Sequence, residues 1–277
     1  AVPLGGVTVT ARVRSTIARS ETMNVIGRLP GRGPRAREAV LLGGHYDHLG
    51  VGVPVNGDSI YNGALDNASG TAGVLAAAEA VVRAGVRSQR SLLFMAFDAE
   101  ESGLLGSQAF ASRPTLPLAD LVAVLNVDVL NLDGATSDIG ALGRDQSSLG
   151  RGFAAAARAE GLRVAENPKA KLQGAFFRSD HFPLVRAGVP ALSVESGTDF
   201  VGRPEGWGRT RQEEWTSQRY HKPQDEVLPE FRPDGALQQL RVMLRVMLTV
   251  ADAVASPEWY PTSEFAAGGR VRRGGAN

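Results

Sequence analysis

The sequence predicts an α/β protein, a three-layer α/β/α sandwich with a mostly parallel, mixed central sheet. Short apolar runs of strand length alternate along the chain with longer segments of helical character. This alternation implies a largely parallel sheet that helices cover on both faces. The length of 277 residues and the hydrophobic content of 43% fit one large domain of this class. We therefore expect a single domain over residues 1–255 and a partly disordered C-terminal extension over residues 256–277.

Strands are expected where apolar residues alternate with polar ones or form short buried runs. In the first two predicted strands apolar and polar residues alternate, whereas the other predicted strands are apolar runs that end at a turn or at polar residues. The predicted strands are residues 7–13, 23–28, 39–42, 91–97, 121–127, 162–165 and 191–194.

Helices are expected between these strands. Asn67 is a good N-cap residue, and an alanine-rich run over residues 72–82 follows it, so we expect a helix to start there. The other predicted helices are residues 103–111, 152–160, 180–187 and 234–253.

Two segments fit neither pattern. Residues 198–219 contain Gly, Pro, Trp and charges of both signs without a period, and they predict a long loop beside the functional site. The tail from Ala266, AAGGRVRRGGAN, is rich in Gly and Arg and predicts disorder.

The composition excludes several classes of protein. Because the chain has no cysteine, it has no disulfide framework, no thiolate metal site and no catalytic cysteine. The net charge of +1 gives no reason to expect a nucleic-acid or membrane partner. No apolar stretch reaches the ~18 residues of a membrane span. The first residues also lack the basic start and apolar run of a signal peptide.

Five short motifs hold residue types that bind zinc. Three of the four histidines, His45, His48 and His221, lie inside them, a concentration that packing does not explain. Zinc binds imidazole nitrogens and carboxylate oxygens. Two ions about 3.5–4 Å apart can hold both the attacking oxygen and the oxygen that accepts charge in a hydrolysis. The motifs are GGHYDHLG (residues 43–50), GALDNASG (63–70), FDAEESGLLGS (97–107), LNVDVLN (125–131) and YHKPQDE (220–226).

The motifs also agree with the predicted fold. His45, Glu100 and Asp128 each lie at or just past the end of a predicted strand. In open α/β sheets, ligands bind beyond the carboxyl ends of the strands. We therefore expect these side chains to meet at one edge of the sheet.

Taken together, the motifs resemble those of the M28 family of zinc aminopeptidases over about residues 23–254. The resemblance implies the zinc-exopeptidase type of α/β/α sandwich, two Zn²⁺ ions with Co²⁺ or Mn²⁺ as substitutes, and an activated water that cleaves the N-terminal peptide bond. Glu100 matches the general base, which takes a proton from that water and passes it to the leaving amine. The implied metal ligands are His45, Asp66 as the bridge between the ions, Glu101, Asp128 and His221.

Further roles follow from the same resemblance. Asp47 is expected to orient His45 through the second ring nitrogen, as metal-binding histidines require. Tyr220 matches a tyrosine that donates a hydrogen bond to the oxyanion in some members, and Arg178 matches an arginine that supports the substrate. Other members place a tyrosine where this chain has Phe176, which favours Tyr220.

The remaining polar residues of the motifs receive structural or supporting roles. Five ligands with Asp66 shared already give each ion three protein contacts. We therefore expect Asp180, His181 and His48 to lie outside the ligand set, and we expect Asp225 to support His221.

Three other functions stay open. Glutaminyl cyclases share this fold, use one zinc ion and act as acyltransferases; carboxypeptidases also occur in the broader family. Some relatives are inactive receptors or scaffolds, but these have lost ligands. The intact ligand set favours the aminopeptidase, with peptides that have a free N-terminus as substrates. The family is mainly exported, so the resemblance implies a periplasmic or secreted protein whose leader is absent from this chain.

Overall fold

A seven-stranded sheet forms the centre of the molecule, with the strand order β1 (Val25–Leu29), β5 (Ser91–Phe97), β2 (Ala39–His45), β6 (Leu121–Asn126), β9 (Ala191–Glu195), β7 (Asp138–Leu142) and β8 (Arg163–Val164). The computed structural model describes residues 5–8, 10–16, 19–272 and 274. Strands β5, β2, β6 and β9 run parallel to one another, whereas β1 at one end and β7 near the other pair antiparallel with their neighbours. The sheet is therefore mostly parallel and mixed, as predicted.

Apart from the strand at residues 7–13, the predicted strands and helices are present in their predicted order, but several further elements lie between them, so strands and helices alternate only in part. Two of the further strands, β3 (Gly50–Val55) and β4 (Asp58–Tyr61), form a separate two-stranded sheet. The helices are α1 (Ser69–Arg83), α2 (Leu105–Ser112), α3 (Leu149–Ala159), α4 (Pro168–Leu172), α5 (His181–Arg186), α6 (Trp207–Gln218), α7 (Asp234–Asp252) and α8 (Ala266–Arg272).

Successive residues of a strand point to opposite faces of the sheet, and helices pack against the apolar residues on both faces. In β2, Val40 and Leu42 belong to a core cluster that includes residues of α1, α3 and α7. Ala39 and Leu41 belong to a second cluster with residues of α2 and α5. Every residue of β2 is buried. The three-layer sandwich is confirmed.

Three local predictions are wrong. Residues 7, 8 and 10–13 form no strand, and Val9 lies outside the described residues. Residues 198–219 are not one long loop, because α6 occupies most of that range. The tail from Ala266 was predicted to be disordered, yet residues 266–272 form α8, and residues 273 and 275–277 lie outside the described part.

The segment that leads to α8 packs on the second core cluster. Trp259 is buried there, and its Nε1 donates a hydrogen bond to the carbonyl oxygen of Gly188 at 3.0 Å. The side chain of Phe265 packs against the same cluster. No helix of the described chain has both the length and the apolar character that crossing a membrane requires.

Candidate metal centre

The predicted metal-binding side chains meet at the carboxyl edge of the parallel strands. His45 is the last residue of β2, Glu101 follows β5, and Asp128 lies two residues beyond the end of β6. Asp66 lies in a π-helical turn, Ala64–Ala68, directly before α1. His221 lies in the turn after α6. The placement agrees with the rule that ligands bind beyond the carboxyl ends of the strands.

The first group of donors surrounds His45. The Nε2 atom of His45 lies 3.3 Å from Oδ1 of Asp66 and 3.4 Å from Oδ1 of Asp128. His45 and Asp66 are almost completely buried. These three residues form one of the groups whose donor atoms are close enough together to hold a metal ion.

The second group shares Asp66 with the first. The Nε2 atom of His221 lies 3.3 Å from Oδ2 of Asp66 and 3.1 Å from Oε2 of Glu101. One carboxylate oxygen of Asp66 therefore faces His45 while the other faces His221. A carboxylate in this position offers one oxygen to each of two ions.

His48 lies closer to these donors than the sequence indicated. Its Nδ1 atom is 2.9 Å from Oε1 of Glu101, and the donor atoms of His48, Asp66 and Glu101, without His221, are also close enough together to hold a metal ion. The rings of His48 and His221 meet edge to face at a centroid distance of 5.7 Å. Two histidines thus flank Glu101, although we expected His48 outside the ligand set.

The electrostatics of the cluster favour a bound cation. Burial alone would lower the pKa of His45, but its contacts with Asp128 and Asp66 outweigh burial and raise that pKa to about 12. Burial opposes ionisation of Asp66 as well, yet contacts with His221 and His45 hold its pKa below the usual range. Several carboxylates around one small space therefore require positive charge between them.

The donors also fit zinc by type and spacing. Imidazole nitrogen and carboxylate oxygen are its usual ligands at about 2.0–2.2 Å, and tetrahedral ligands at that distance lie about 3.4 Å from one another. The donor distances of 3.3 and 3.4 Å around His45 and of 3.3 and 3.1 Å around His221 are close to this spacing. The residues present therefore fit a pair of zinc ions that share Asp66.

Asp47 supports the site in a different way from the one expected. The Nδ1 atom of His45 donates to the backbone carbonyl oxygen of Asp47 at 3.1 Å, whereas the Asp47 carboxylate lies 3.7 Å away, beyond hydrogen-bonding distance. That carboxylate instead accepts the backbone N–H groups of Glu100 at 3.0 Å and Glu101 at 3.2 Å. Asp47 thus links the His45 ring to the turn that carries both glutamates.

Asp225 supports Asp66 and not His221. Its carboxylate is buried and accepts the backbone N–H groups of Leu65 at 3.1 Å and Asp66 at 3.0 Å. The prediction that it would support His221 is therefore wrong at the level of its hydrogen bonds. The physical reason is that the turn before α1 presents unpaired N–H groups, which a buried carboxylate can accept.

Asp128 is held by a chain of side chains that sequence reasoning missed. Ser179 Oγ donates to Asp128 Oδ2 at 2.7 Å. Asn126 Nδ2 donates in turn to Ser179 Oγ at 2.9 Å and to Ser193 Oγ at 3.2 Å. The sequence carried no signal for this contact, because Ser179 is 51 residues from Asp128 and its neighbours Asp180 and His181 were expected outside the ligand set.

Glu100 lies beside the donors in a partly buried position. Burial is the largest cause that raises its pKa, to about 9, and the carboxylates of Asp128, Asp180 and Glu101 add to it while His45 opposes it. Positive charge in the donor groups would favour the ionised form. Glu100 can therefore accept a proton when the cluster binds cations.

Tyr220 and Arg178 lie at the same edge. The Tyr220 ring stacks on His221 with a centroid distance of 3.9 Å and an angle of 26°. Burial and the charges of Asp66 and Glu101 raise its pKa to about 12, so the phenol keeps its proton at neutral pH. Arg178 is exposed, and its positive charge acts to lower the pKa of both His221 and Tyr220 against the stronger causes that raise them.

Strained backbone surrounds the donors. Ala99, Val129 and His221 have φ values of 54°, 56° and 55°, in the left-handed region that non-glycine residues rarely adopt. Ala99 precedes Glu100, and Val129 follows Asp128. Such strain persists only where neighbouring contacts hold it, and it is common at functional sites. The N–H of Val129 donates to Asn67 Oδ1 at 3.1 Å, which is one such contact.

Asp180 and His181 lie outside both donor groups. His181 is completely buried, and its ring packs against Phe176 at a centroid distance of 4.9 Å. Burial lowers its pKa to about 4, so the ring is neutral. A structural role stays the prediction for this histidine.

Comparison with known protein families identifies the family of the chain. The model of peptidase family M28 matches residues 24–247, most of the chain and all of the donors described above. The chain belongs to this family. The M28 chain is 30% identical over 191 residues to leupeptin-inactivating enzyme 1 of Streptomyces exfoliatus, covering 68% of this chain and 39% of that protein. It is 31% identical over 123 residues to leucine aminopeptidase 1 of Emericella nidulans, covering 42% of this chain and 30% of that protein.

Solved structures show the same fold. A zinc aminopeptidase from Bacillus subtilis superposes with a TM-score of 0.61 at 23% identity, covering 84% of this chain and 51% of that one. The M28 peptidase precursor from Shewanella amazonensis gives a TM-score of 0.59 at 23% identity, covering 86% of this chain and 46% of that one. The chain thus spans about half the length of these structures and less than half of the two curated relatives.

Proposed function

We propose that this M28 chain is a zinc-dependent aminopeptidase that hydrolyses the N-terminal peptide bond of peptides. The observation that carries the proposal is the position of Asp66, whose two oxygens lie 3.3 Å from Nε2 of His45 and 3.3 Å from Nε2 of His221. A shared carboxylate between two sets of donors is the arrangement that a two-metal hydrolase needs. Relatives of the chain are named leucine aminopeptidases, which supports the same activity.

Each residue of the site has a distinct part in the proposed reaction. His45, Asp66, Asp128, His221 and Glu101 would hold two zinc ions. Bound zinc lowers the pKa of water towards ~7 and polarises the carbonyl of the scissile bond.

The chain's own groups then move the proton and stabilise charge. Glu100 accepts a proton from the attacking water and delivers it to the nitrogen of the leaving amine, the double role of a general acid–base. The protonated Tyr220 donates a hydrogen bond to the oxyanion, and Arg178 adds positive charge beside it. Asp47 fixes the Glu100–Glu101 turn through the two N–H groups, so the carboxylates keep separate tasks.

The test combines metal analysis with a substrate panel. Purified protein should hold about two zinc ions per chain and should release nitroaniline from leucine nitroanilide but not from its N-acetylated form. The acetylated substrate is the matched control because it differs only in the free amine. Cleavage of N-blocked peptides from the C-terminus would instead show a carboxypeptidase, and one zinc with cyclisation of N-terminal glutamine would show a cyclase.

We also propose that the chain acts outside the cytoplasm. The structural relative from Shewanella amazonensis is described as a precursor, which supports an exported family member. Fractionation of the source cells with an antibody to this domain tests the location, and recovery in the cytoplasmic fraction alone would contradict it.

A further inference from the structure

A large groove lies at the carboxyl end of β9. Its volume is about 1410 Å³, and its floor and walls come from β7, β8, α4, α6 and the segment that follows β9. Among the residues that line it are six acidic and three basic side chains, so the groove carries an excess of negative charge. The mechanism proposed above uses none of them.

Glu195 lies where this groove approaches the metal centre. Strands β6 and β9 are parallel neighbours, and Asn126 pairs with Ser193. Glu195 is two residues after Ser193 and lies on the same face of β9, because strand side chains alternate. Asp128 is two residues after Asn126 and lies on the same side as Asn126, because Ser179 Oγ contacts both side chains. Neighbouring strands are about 4.8 Å apart. Glu195 is therefore one strand away from a predicted metal ligand, at the same edge of the sheet.

The Glu195 carboxylate is held in place but not neutralised. Oε1 accepts a hydrogen bond from Asn167 Nδ2 at 3.1 Å. Across the described residues Glu195 takes part in no ion pair, and Oε2 accepts no hydrogen bond. Burial raises its pKa to about 7, against the hydrogen bond from Asn167 and the charge of Arg144. A partly buried carboxylate with one free oxygen is stabilised by a cation.

Three of the five other acids of the groove are exposed and paired with cations. Glu166 pairs with Arg144 at 2.6 Å, Asp199 with Arg163 at 3.4 Å and Glu213 with Lys169 at 3.2 Å. Asp138 is buried and accepts the backbone N–H groups of Thr198 and Asp199, and Glu205 is exposed. Glu195 combines partial burial with a carboxylate oxygen that accepts no hydrogen bond in the described part of the chain, so its charge is available to a ligand.

We propose that Glu195 determines specificity, by pairing with the side chain of a lysine or arginine at the N-terminus of the substrate. The inference rests on the proposed aminopeptidase function. The apolar side chains of Val164, Ala165 and Ala170 line the groove and give the methylene stem of such a residue a surface to cover. Asn167 holds the carboxylate towards the groove, so the charged end of the substrate meets a fixed acceptor.

The test compares a lysine substrate with its neutral isostere. Lysine, arginine and norleucine nitroanilides are hydrolysed by the zinc-loaded parent, by Glu195→Gln and by Glu213→Gln. Norleucine has the same methylene chain as lysine without the amine, and Glu213→Gln removes a charge from the exposed wall of the same groove. A hydrogen bond to a charged group is typically worth about 10- to 100-fold in an equilibrium or rate ratio.

In the parent, kcat/KM should be about 10-fold or more higher for lysine than for norleucine. Glu195→Gln should remove that preference and leave the norleucine value within about twofold, while Glu213→Gln should keep it. An equal loss for all three substrates would overturn the inference, because Glu195 would then act on the amine that they share. An unchanged ratio, or a parent without the preference, would overturn it as well.

Calorimetric titration with free lysine and free norleucine, which have no amide bond to hydrolyse, separates this inference from the proposed function. If the parent hydrolyses nothing, the aminopeptidase proposal fails, yet tighter binding of lysine that is lost in Glu195→Gln still supports recognition by Glu195. If the parent hydrolyses all substrates but binds both amino acids equally, the inference fails while the proposed function stands.

Discussion

The carboxylate of Asp47 accepts the backbone N–H of Glu100 at 3.0 Å, so the residue two positions after His45 also positions the proposed general base. Its second oxygen accepts the N–H of Glu101 at 3.2 Å. One side chain therefore fixes both carboxylates of the acidic pair relative to His45. The arrangement explains how two adjacent glutamates can take different directions and different tasks.

Asp47→Asn should destabilise this turn. The amide offers one acceptor oxygen and turns an NH₂ group towards the other N–H, and hydrogen bonds to charged groups contribute about 1.5–3 kcal/mol. We expect a lower free energy of unfolding in urea and a lower kcat. Asp58→Asn is the matched control, since Asp58 Oδ1 accepts the exposed N–H of Ile60 at 2.9 Å. Equal effects of the two substitutions would contradict a special role for Asp47.

The two glutamates should respond differently to the same substitution. Glu100→Gln should keep the zinc content and lower kcat by about 10²–10⁴-fold, because the amide cannot accept a proton. Glu101→Gln should lose zinc first, since its carboxylate lies 3.1 Å from His221 in the second donor group. Elemental analysis and steady-state kinetics on both variants check this. Equal metal loss in both would show that the pair has no division of labour.

Asp66→Ala should lose both zinc ions, because its two oxygens face different histidines. Asp138→Ala is the control: Asp138 is equally buried but accepts the backbone N–H groups of Thr198 and Asp199 away from the donors. That variant should keep two ions per chain.

The zinc content per chain also shows which of the two histidines near Glu101 binds the second ion. His221→Ala should lose about one of the two ions, and His48→Ala should keep both. The reverse result would assign the second ion to His48.

Tyr220→Phe tests how the oxyanion is stabilised. Loss of one such donor typically lowers kcat by about 10²–10³-fold, and KM should change far less because the ground-state carbonyl carries little charge. Tyr61→Phe is a matched control, since the Tyr61 hydroxyl donates to Val53 in the exposed hairpin. If Tyr220→Phe retained kcat within about threefold, zinc alone would hold the oxyanion.

His181 should lower the free energy of unfolding as the pH falls below neutral. Burial lowers its folded pKa to about 4, below the ordinary value of 6.5, so the unfolded chain binds the proton more readily. The stability from the neutral ring is complete above pH 6.5 and is lost as pH falls towards 4, by about 3 kcal/mol at most.

The difference in unfolding free energy between the parent and His181→Phe should therefore shrink from pH 7 to pH 4.5. Asp180 is present in both proteins, so its titration largely cancels in this difference. A difference that stays constant with pH would show that His181 titrates normally in the fold.

Much of the fold was predictable because buried strands and amphipathic helices leave strong patterns. Strand β5 was predicted with its observed bounds, and α7 to within one residue. Helix α6 was missed because only Gly208 among its residues is buried, so it has no apolar period. Its content of Arg, Gln and Glu, which favour helices, was the available signal.

The β3–β4 hairpin had a clear signal that was not used. Asn56 and Gly57 join the strands with φ values of 54° and 88°, the conformation for which Asn-Gly is preferred. The opposite error occurred at residues 7–13, where alternation alone predicted a strand. A strand needs a partner for its N–H and C=O groups, and the described residues there pair with none.

In the site, the order of the motifs and the strand-end rule predicted which residues converge, whereas their hydrogen-bond partners depended on loop paths. The approach of His48 to Glu101 and the contacts of Asp225 with the turn before α1 arise from such paths. Glu195 could have been found by the same strand-end rule that identified His45 and Asp128, since it ends β9.

The two halves of the sheet contribute to different sites. The metal donors come from the ends of β2, β5 and β6 and from the turns beside them, and the groove from β9, β7 and β8. Under the two proposals, mutations in the groove would therefore change which peptides are chosen without touching the donors. A lineage that kept the proposed metal centre would diversify its range of peptides by altering Glu195 and its neighbours, and each intermediate would still be a working enzyme.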